Sequence, residues 1–365
     1  MVYRVIGVMS GSSLDGLDIV FTELEESGGK WSYEIKAASC IPYSLDWTEK
    51  LKIATTLSAH EYLLLHTAYG KYIGHEINQF IKEFDLHHKI QLIASHGHTT
   101  FHEPLSGMTA QLGDGASIAA LTEINVVSDL RTMDVAFGGQ GAPIVPIGEK
   151  LLFADYMFCL NLGGISNLSY KGNDGYIAFD VCAANRVLNM LAQNEGKEYD
   201  SEGIMAASGE INTALLTKLN ALSYYAQSFP KSLANSFGTD IVYPLLNESE
   251  ISIADQLRTY VEHIVMQLGY SIQKVGDRNN TTNCKMLVTG GGAMNTFLIN
   301  RLKKLLEGFE IEIEVPDEMI INYKEALIMA LIGVLRWREE YNVLHTVSGA
   351  SRSSIGGAVW IGQEA

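Results

Sequence analysis

The chain opens on an apolar run at residues 3–9, which a glycine turn separates from a second run at 17–23, and a third follows at 32–38. β-branched and aromatic residues dominate these runs, so they read as strands around a tight turn. Two stretches of helical period come next, 46–56 and 60–84, the second with Leu64, Ala68, Ile73, Ile77 and Phe80 on its apolar stripe. Residues 90–95 read as a buried strand that ends at Ser95-His96-Gly97-His98-Thr99, with polar residues gathered at its exit. The second half repeats this grammar. Strands at 157–162 and 168–170 bracket Gly163-Gly164, and a strand at 176–180 ends on Asp180 just before a turn. Helices are expected at 186–193 and 210–219, and longer ones at 253–275 and 295–307 enclose a strand at 286–289. The recurring strand-turn-strand openings near 7–16 and 161–167 point to an internal duplication, and so to two related α/β domains with a cleft between them.

Three glycine-rich turns follow apolar runs: Gly7-Val8-Met9-Ser10-Gly11-Ser12-Ser13-Leu14-Asp15-Gly16, Asn161-Leu162-Gly163-Gly164-Ile165-Ser166-Asn167 and Gly290-Gly291-Gly292-Ala293-Met294-Asn295. Without a Cβ in the way, backbone N–H groups in such turns can face an oxyanion, so loops of this kind cradle phosphates. The first lacks the lysine of a P-loop, and Leu17 and Asp18 stand where that motif needs Lys and Ser/Thr. Asp15 and Asp18 would repel a bare triphosphate but suit Mg²⁺ or its waters bridging carboxylate to phosphate. A plain hairpin turn with solvated acids is the competing reading. The third turn imitates a dinucleotide fingerprint, yet Asn295 replaces its last glycine and the unit comes late in the chain.

Composition narrows the function. The 365 residues carry a formal net charge of −16, which disfavours nucleic acid and anionic membranes. The four cysteines are scattered, the opening has no leader-like segment, and no run is long enough to span a bilayer, so a cytoplasmic protein with buried thiols is expected. Asp180 suits a general base or a helix cap. His96, His98 and His102 could line a sugar or, less naturally, a metal. Asp129-Leu130-Arg131-Thr132-Met133-Asp134, followed by Gly138-Gly139-Gln140-Gly141-Ala142-Pro143, reads as a domain crossing that touches substrate, or as a salt-bridged linker.

Together with Lys324-Glu325-Ala326-Leu327, these motifs resemble the anhydro-N-acetylmuramic acid kinases of the sugar kinase, Hsp70 and actin superfamily, from Ile6 to Gly357. The resemblance implies an α/β fold of two RNase H-like (actin-like ATPase) domains flanking an interdomain nucleotide cleft. They would span 1–132 and 133–365, with about 340–365 packing back on the first. It also implies a kinase that uses ATP and Mg²⁺ to open the 1,6-anhydro ring of anhydro-N-acetylmuramic acid with water and phosphorylate O6, in peptidoglycan recycling. A homodimer fits the family.

By the same resemblance, Asp180 matches the base that activates water. Gly11, Ser12, Ser13, Leu14, Asp15, Gly16, Leu17 and Asp18 would hold the phosphates and Mg²⁺, with Asp15 and Asp18 reaching the metal through water. Gly163 and Gly164 would form the opposing phosphate loop, while Gly290, Gly291, Gly292 and Asn295 would sit by the adenosine. His96, Gly97, Thr99, Arg131 and Glu325 would face the sugar. Three departures bear on substrate choice: Val181-Cys182-Ala183-Ala184 replaces a Thr-Gly-Pro-Gly turn, His98 replaces a glutamine and brings a pH-dependent charge, and Leu233-Ala234-Asn235 replaces Thr-Gly-Arg. A kinase for another sugar, or a non-catalytic ATP-binding regulator, are the alternatives.

Overall fold

A computed structural model describes residues 1–11, 14–173, 175–229, 231–234, 236–248, 250–275 and 283–363. The chain divides into two compact units, Met1–Ala154 with Tyr323–Ala365, and Asp155–Asn322. The division falls after Ala154 rather than after residue 132, and the return begins at Tyr323 rather than near 340. Arg131 and the Gly138–Gly141 loop therefore lie inside the first unit and are not a domain crossing. Hydrophobic pattern along the chain cannot reveal such a return, because it shows which residues are buried and not against what.

In the first unit, β1 (Val2–Ser10), β2 (Gly16–Ser27) and β3 (Lys30–Pro42) form an antiparallel meander. On the other side of β1 lie β4 (Leu92–Glu103) and then β6 (Val126–Ser128), both parallel to their neighbour, with β5 (Met108–Leu112) folded back on β4. Strand Ala358–Trp360 closes the sheet against β6. The second unit has β7 (Phe158–Leu162), β8 (Ile165–Gly172) and β9 (Gly175–Ala183) as its meander, with β10 (Cys284–Thr289) and β11 (Ile311–Glu314) parallel on the far side of β7. With β5 set aside as a branch on β4, both sheets run from their third strand through the second and first to the fourth and one further parallel strand, with the opening strand central. This shared order is the RNase H-like pattern, and it explains the duplicated rhythm in the sequence.

The glycine turns follow the carboxyl ends of β1, β7 and β10, the edge of an open α/β sheet where ligands bind. Helix Ala59–Glu83 covers the first sheet and starts in a capping box, with the Ser58 hydroxyl on the Glu61 N–H and the Glu61 carboxylate on the Ser58 N–H. Its buried stripe is Leu65, Tyr69, Ile73, Ile77 and Phe80. Leu64 and Ala68, expected on that stripe, face outward, because the stripe follows Tyr69, whose hydroxyl reaches Ser10 in β1. Helix Glu318–Trp337 lies against the centre of the same sheet. A Cβ on Gly7 would stand 1.9 Å from the Ala326 carbonyl oxygen, so only glycine allows this approach. Among the described residues, no helix is long and apolar enough to cross a membrane.

Candidate functional site

In the first unit, β4 does not end at the histidine motif but runs on through it, since β5 pairs with its second half and Gly97 takes φ +72° to let it bend. His98 thus lies opposite Ser10 at the end of β1. The Ser10 Oγ lies 2.8 Å from the Tyr43 hydroxyl, 3.0 Å from the Tyr69 hydroxyl and 3.0 Å from His98 Nδ1. The two tyrosine hydroxyls also lie 2.6 Å from each other, so the three oxygens and His98 Nδ1 share one buried hydrogen-bond network. Burial pushes the His98 pKa down to about 4. The pH-dependent charge expected at this position is therefore absent near neutrality.

His96 is fixed the other way round. Arg131 Nε donates to His96 Nε2 (2.8 Å), so the ring proton sits on Nδ1 and donates to the Gly97 carbonyl (2.7 Å). Burial, followed by the Arg131 charge, pushes His96 down to about 3. Arg131 also donates through Nη1 to the Gly141 carbonyl (2.6 Å). Burial lowers its pKa to about 10 against the attraction of Glu325 and Asp134, so it stays cationic. Buried Glu325 is raised by desolvation and partly held down by Lys324 and Arg131. Asp134, fully buried and not foreseen as important, accepts the Gly141 N–H (2.8 Å) and the Ser348 hydroxyl (2.7 Å), and so shapes the glycine loop that Arg131 grips. This local carboxylate, rather than a salt-bridged linker, holds the loop.

Gly11, Leu14, Asp15, Gly16, Leu17 and Asp18 span the end of the β1–β2 connection, while Ser12 and Ser13 lie outside the described residues. Asp18 on β2 pairs in register with Cys40 on β3 and is raised to about 6, chiefly by burial and then by Glu325 and Asp15, against the hydrogen bond from the Cys40 thiol. An acid held above its unfolded value binds its proton more tightly in the fold. Its ionisation therefore opposes folding, fully above about pH 6 and not at all below the ordinary value of 3.8. Asp18→Asn is expected to stabilise the protein at pH 8 by about 1–2 kcal/mol after solvent screening, a gain that shrinks as pH falls through 6. Denaturant titrations at pH 8 and pH 5 check this; equal gains at both would remove the electrostatic explanation.

In the second unit, Asp180 is neither at a strand end nor a helix cap. β9 continues to Ala183, and the next helix, Asn185–Gln193, has Ala184 at its N-cap. Asn167 on β8 is the register partner of Asp180, next to an irregularity between Ser166 and Asn167. The Asn167 amide donates to Asp180 Oδ1, and the Leu233 N–H donates to Oδ2 (2.7 Å). The backbone of Asp180 is tied as well, through its N–H to the Lys231 carbonyl (3.1 Å) and its carbonyl to the Tyr224 hydroxyl (2.7 Å). Burial raises the Asp180 pKa, while Leu233, Asn167 and Lys231 pull it back down. The result is a half-buried carboxylate with both oxygens located and a lone pair left on each.

The second and third glycine turns converge inside this unit. A Cβ on Gly290 would stand 2.6 Å from Asn161 Oδ1, and Asn185 Nδ2 donates to the Leu162 carbonyl (2.8 Å) while flanking Gly291 and Gly292. The Gly163 and Gly164 carbonyls accept the N–H groups of Asn185 (3.0 Å) and Ala184 (2.8 Å), which locks the turn onto the start of helix Asn185–Gln193. Asn295 caps helix Thr296–Leu306, its Oδ1 accepting the Leu298 N–H (3.0 Å). Among the described residues, no group of three or more His, Cys, Asp or Glu side chains could hold a metal, so His96, His98 and His102 do not form such a site. No disulfide forms among the described residues, and Cys40 is exposed.

Residues 3–362 match the family profile described as anhydro-N-acetylmuramic acid kinase. The chain belongs to that family. A curated anhydro-N-acetylmuramic acid kinase from Pseudomonas syringae pv. tomato is 32% identical over 371 residues, 99% of this chain and 100% of that protein. One from Shewanella sediminis is 30% identical over 372 residues, 97% and 98% of the two chains. A solved structure, the activator of the 2-hydroxyisocaproyl-CoA dehydratase from Clostridium difficile with bound ADPNP, covers 92% of this chain and 96% of its own at 14% identity and a TM-score of 0.46, a likeness too remote to bear on chemistry. In this anhydro-N-acetylmuramic acid kinase family member, Cys182 and Ala183 pair with β8, with Val181 at the irregularity, instead of forming a Gly-Pro turn. Apolar residues without a glycine or proline break favour continued pairing.

Proposed function

We propose that the protein uses ATP to open the 1,6-anhydro ring of anhydro-N-acetylmuramic acid and phosphorylate O6, giving N-acetylmuramic acid 6-phosphate and ADP in peptidoglycan recycling. The observation that carries the reading is Asp180, clamped by Asn167 and the Leu233 N–H in the unit that gathers two glycine turns. Asp180 takes a proton from water as the water oxygen bonds to the anomeric carbon and the C1–O6 bond breaks. The freed O6 bonds to the γ-phosphorus, and the bond from that phosphorus to the ADP oxygen breaks. Gly163 and Gly164 face the phosphates, and Gly290, Gly291 and Gly292 lie by the adenosine.

On the first unit, Arg131 and neutral His96 supply a cation and a fixed hydrogen-bond pattern for the sugar, together with Gly97, Thr99 and Glu325. Asp15 and Asp18 would hold Mg²⁺ through its waters. The crowding of Asp18 by Asp15 and Glu325 fits a group that a cation would relieve, and Mg²⁺ characteristically uses one or two carboxylates and keeps several waters. When bound, the metal neutralises charge on the phosphates.

The test is ADP release with ATP and Mg²⁺, with and without anhydro-N-acetylmuramic acid, and mass analysis of the product. Sugar-dependent ADP with incorporation of one water and one phosphoryl group is expected. Equal ADP release with and without the sugar, or preference for a free hexose or N-acetylhexosamine, would remove the assignment.

A further inference from the structure

Arg186 is an arginine whose Nε has no hydrogen-bond partner among the described residues. It is the second residue of helix Asn185–Gln193, in the first turn after Asp180 and its strand. Its Nε is buried, and among the described residues no hydrogen bond or ion pair satisfies it. The side chain is held between two glycines. A Cβ on Gly164 would stand 3.7 Å from both Arg186 Cβ and Nε and 3.9 Å from Nη2, and a Cβ on Gly238 would stand 3.9 Å from Arg186 Cδ. These are ordinary contact distances, so the guanidinium lies directly alongside Gly164.

A buried N–H donor left unpaired costs about 1–3 kcal/mol, more on a charged group, so natural folds rarely keep one without a use. Here carboxylates are abundant, with 42 acidic residues against 26 basic ones, and yet none among the described residues pairs with the Arg186 Nε. Its neighbours are instead the Gly163-Gly164 turn, whose carbonyls are already taken by Ala184 and Asn185, and the N-terminus of a nine-residue helix, whose dipole favours an anion. Flanking Gly164 this closely, the guanidinium can offer two parallel N–H donors to an oxyanion seated on the turn, the geometry in which arginine recognises phosphate best.

We infer that Arg186 is a phosphate-binding residue of this protein, taking an anionic oxygen of the nucleotide's polyphosphate at the Gly163-Gly164 turn. The assignment rests on the nucleotide reading above, and adds a residue that no glycine motif points to. It has a signature that a structural arginine lacks. Removing an unsatisfied cation leaves the ligand-free protein as stable as before or more so, while nucleotide affinity falls.

The experiment compares wild type, R186K and R186M by calorimetric titration with ADP and with tripolyphosphate, and by thermal melting without ligand. R186M is expected to bind both probes about 10–100-fold more weakly, the equivalent of one charge-assisted contact of 1.5–3 kcal/mol, with an unchanged or higher melting temperature. R186K, a point charge without the planar fork, falls between the two. Wild-type affinity in R186M for both probes would overturn the assignment alone. A large drop in the ligand-free melting temperature of both variants would also overturn it, by making the arginine structural. If wild type binds neither probe, the nucleotide reading falls and takes this assignment with it.

Discussion

Asp180→Asn lowers turnover of the anhydro sugar by about 10²–10⁴-fold, the span that general-base groups contribute, with little change in nucleotide affinity. The two donors explain why this isosteric change is clean. Asparagine offers one oxygen where the carboxylate offered two, so either the Asn167 amide or the Leu233 N–H loses its acceptor, and a flip of Asn167 restores the first. The fold is kept, but the group that accepts a proton is gone. Wild-type activity should also fall on the acid side at a pH above the usual carboxylate range, because burial outweighs Asn167, Leu233 and Lys231 and raises the Asp180 pKa. Of the other titrating groups nearby, Cys182 and Tyr224 are raised by burial and stay neutral through this range, while burial and then Lys274 lower Lys231. Coupled measurement of ADP release from pH 4 to 9 tests both statements, and an asparagine variant within threefold of wild type would end the role assigned to this residue.

Removing Lys324 is expected to cost about 3–5 kcal/mol of stability, the loss typical when one partner of a buried ion pair is deleted. Lys324 Nζ lies 2.9 Å from Glu149 Oε1, and both side chains are only 3% exposed. Glu149 Oε2 has no hydrogen-bond partner among the described residues, so its charge leans on the lysine. Lys324→Met would leave Glu149 without its ion-pair partner and would remove one of the two cations that hold the Glu325 pKa down. For a unit of this size the loss corresponds to a melting temperature lower by roughly 6–20 °C. Glu149→Leu combined with Lys324→Met should recover most of it, since an apolar pair of similar volume avoids burying charge at all. Calorimetry of the single and double variants decides the point; a double variant no better than Lys324→Met would show that shape, and not charge, set the cost.

Much of the candidate site is legible in the sequence, but unevenly. The glycine turns, the histidine motif and Asp180 are visible because each pairs a local backbone requirement with a chemical group, and both are written in adjacent residues. The helical stripe was misplaced at Leu64 and Ala68 because helical spacing tolerates a one-residue error until a specific contact, here Tyr69 to Ser10, fixes the face. Asp180 looked like a strand end because the expected turn after it was sought in letters, whereas pairing with β8 extends the strand to Ala183. Asn167 stood in a quoted motif without a role, and Arg186 had no signal of any kind.

The order of apolar runs and glycine turns, by itself, determined two α/β halves of the same design and the residues at their strand ends. Those properties are local, set by backbone geometry and period. Only the tertiary structure decided that Tyr323–Ala365 rejoins the first unit, that burial holds His96 and His98 neutral with the His96 tautomer fixed by Arg131, and which donors hold the Asp180 carboxylate. Burial and hydrogen-bond partners come from residues far apart in the chain, and a proton's position follows from them.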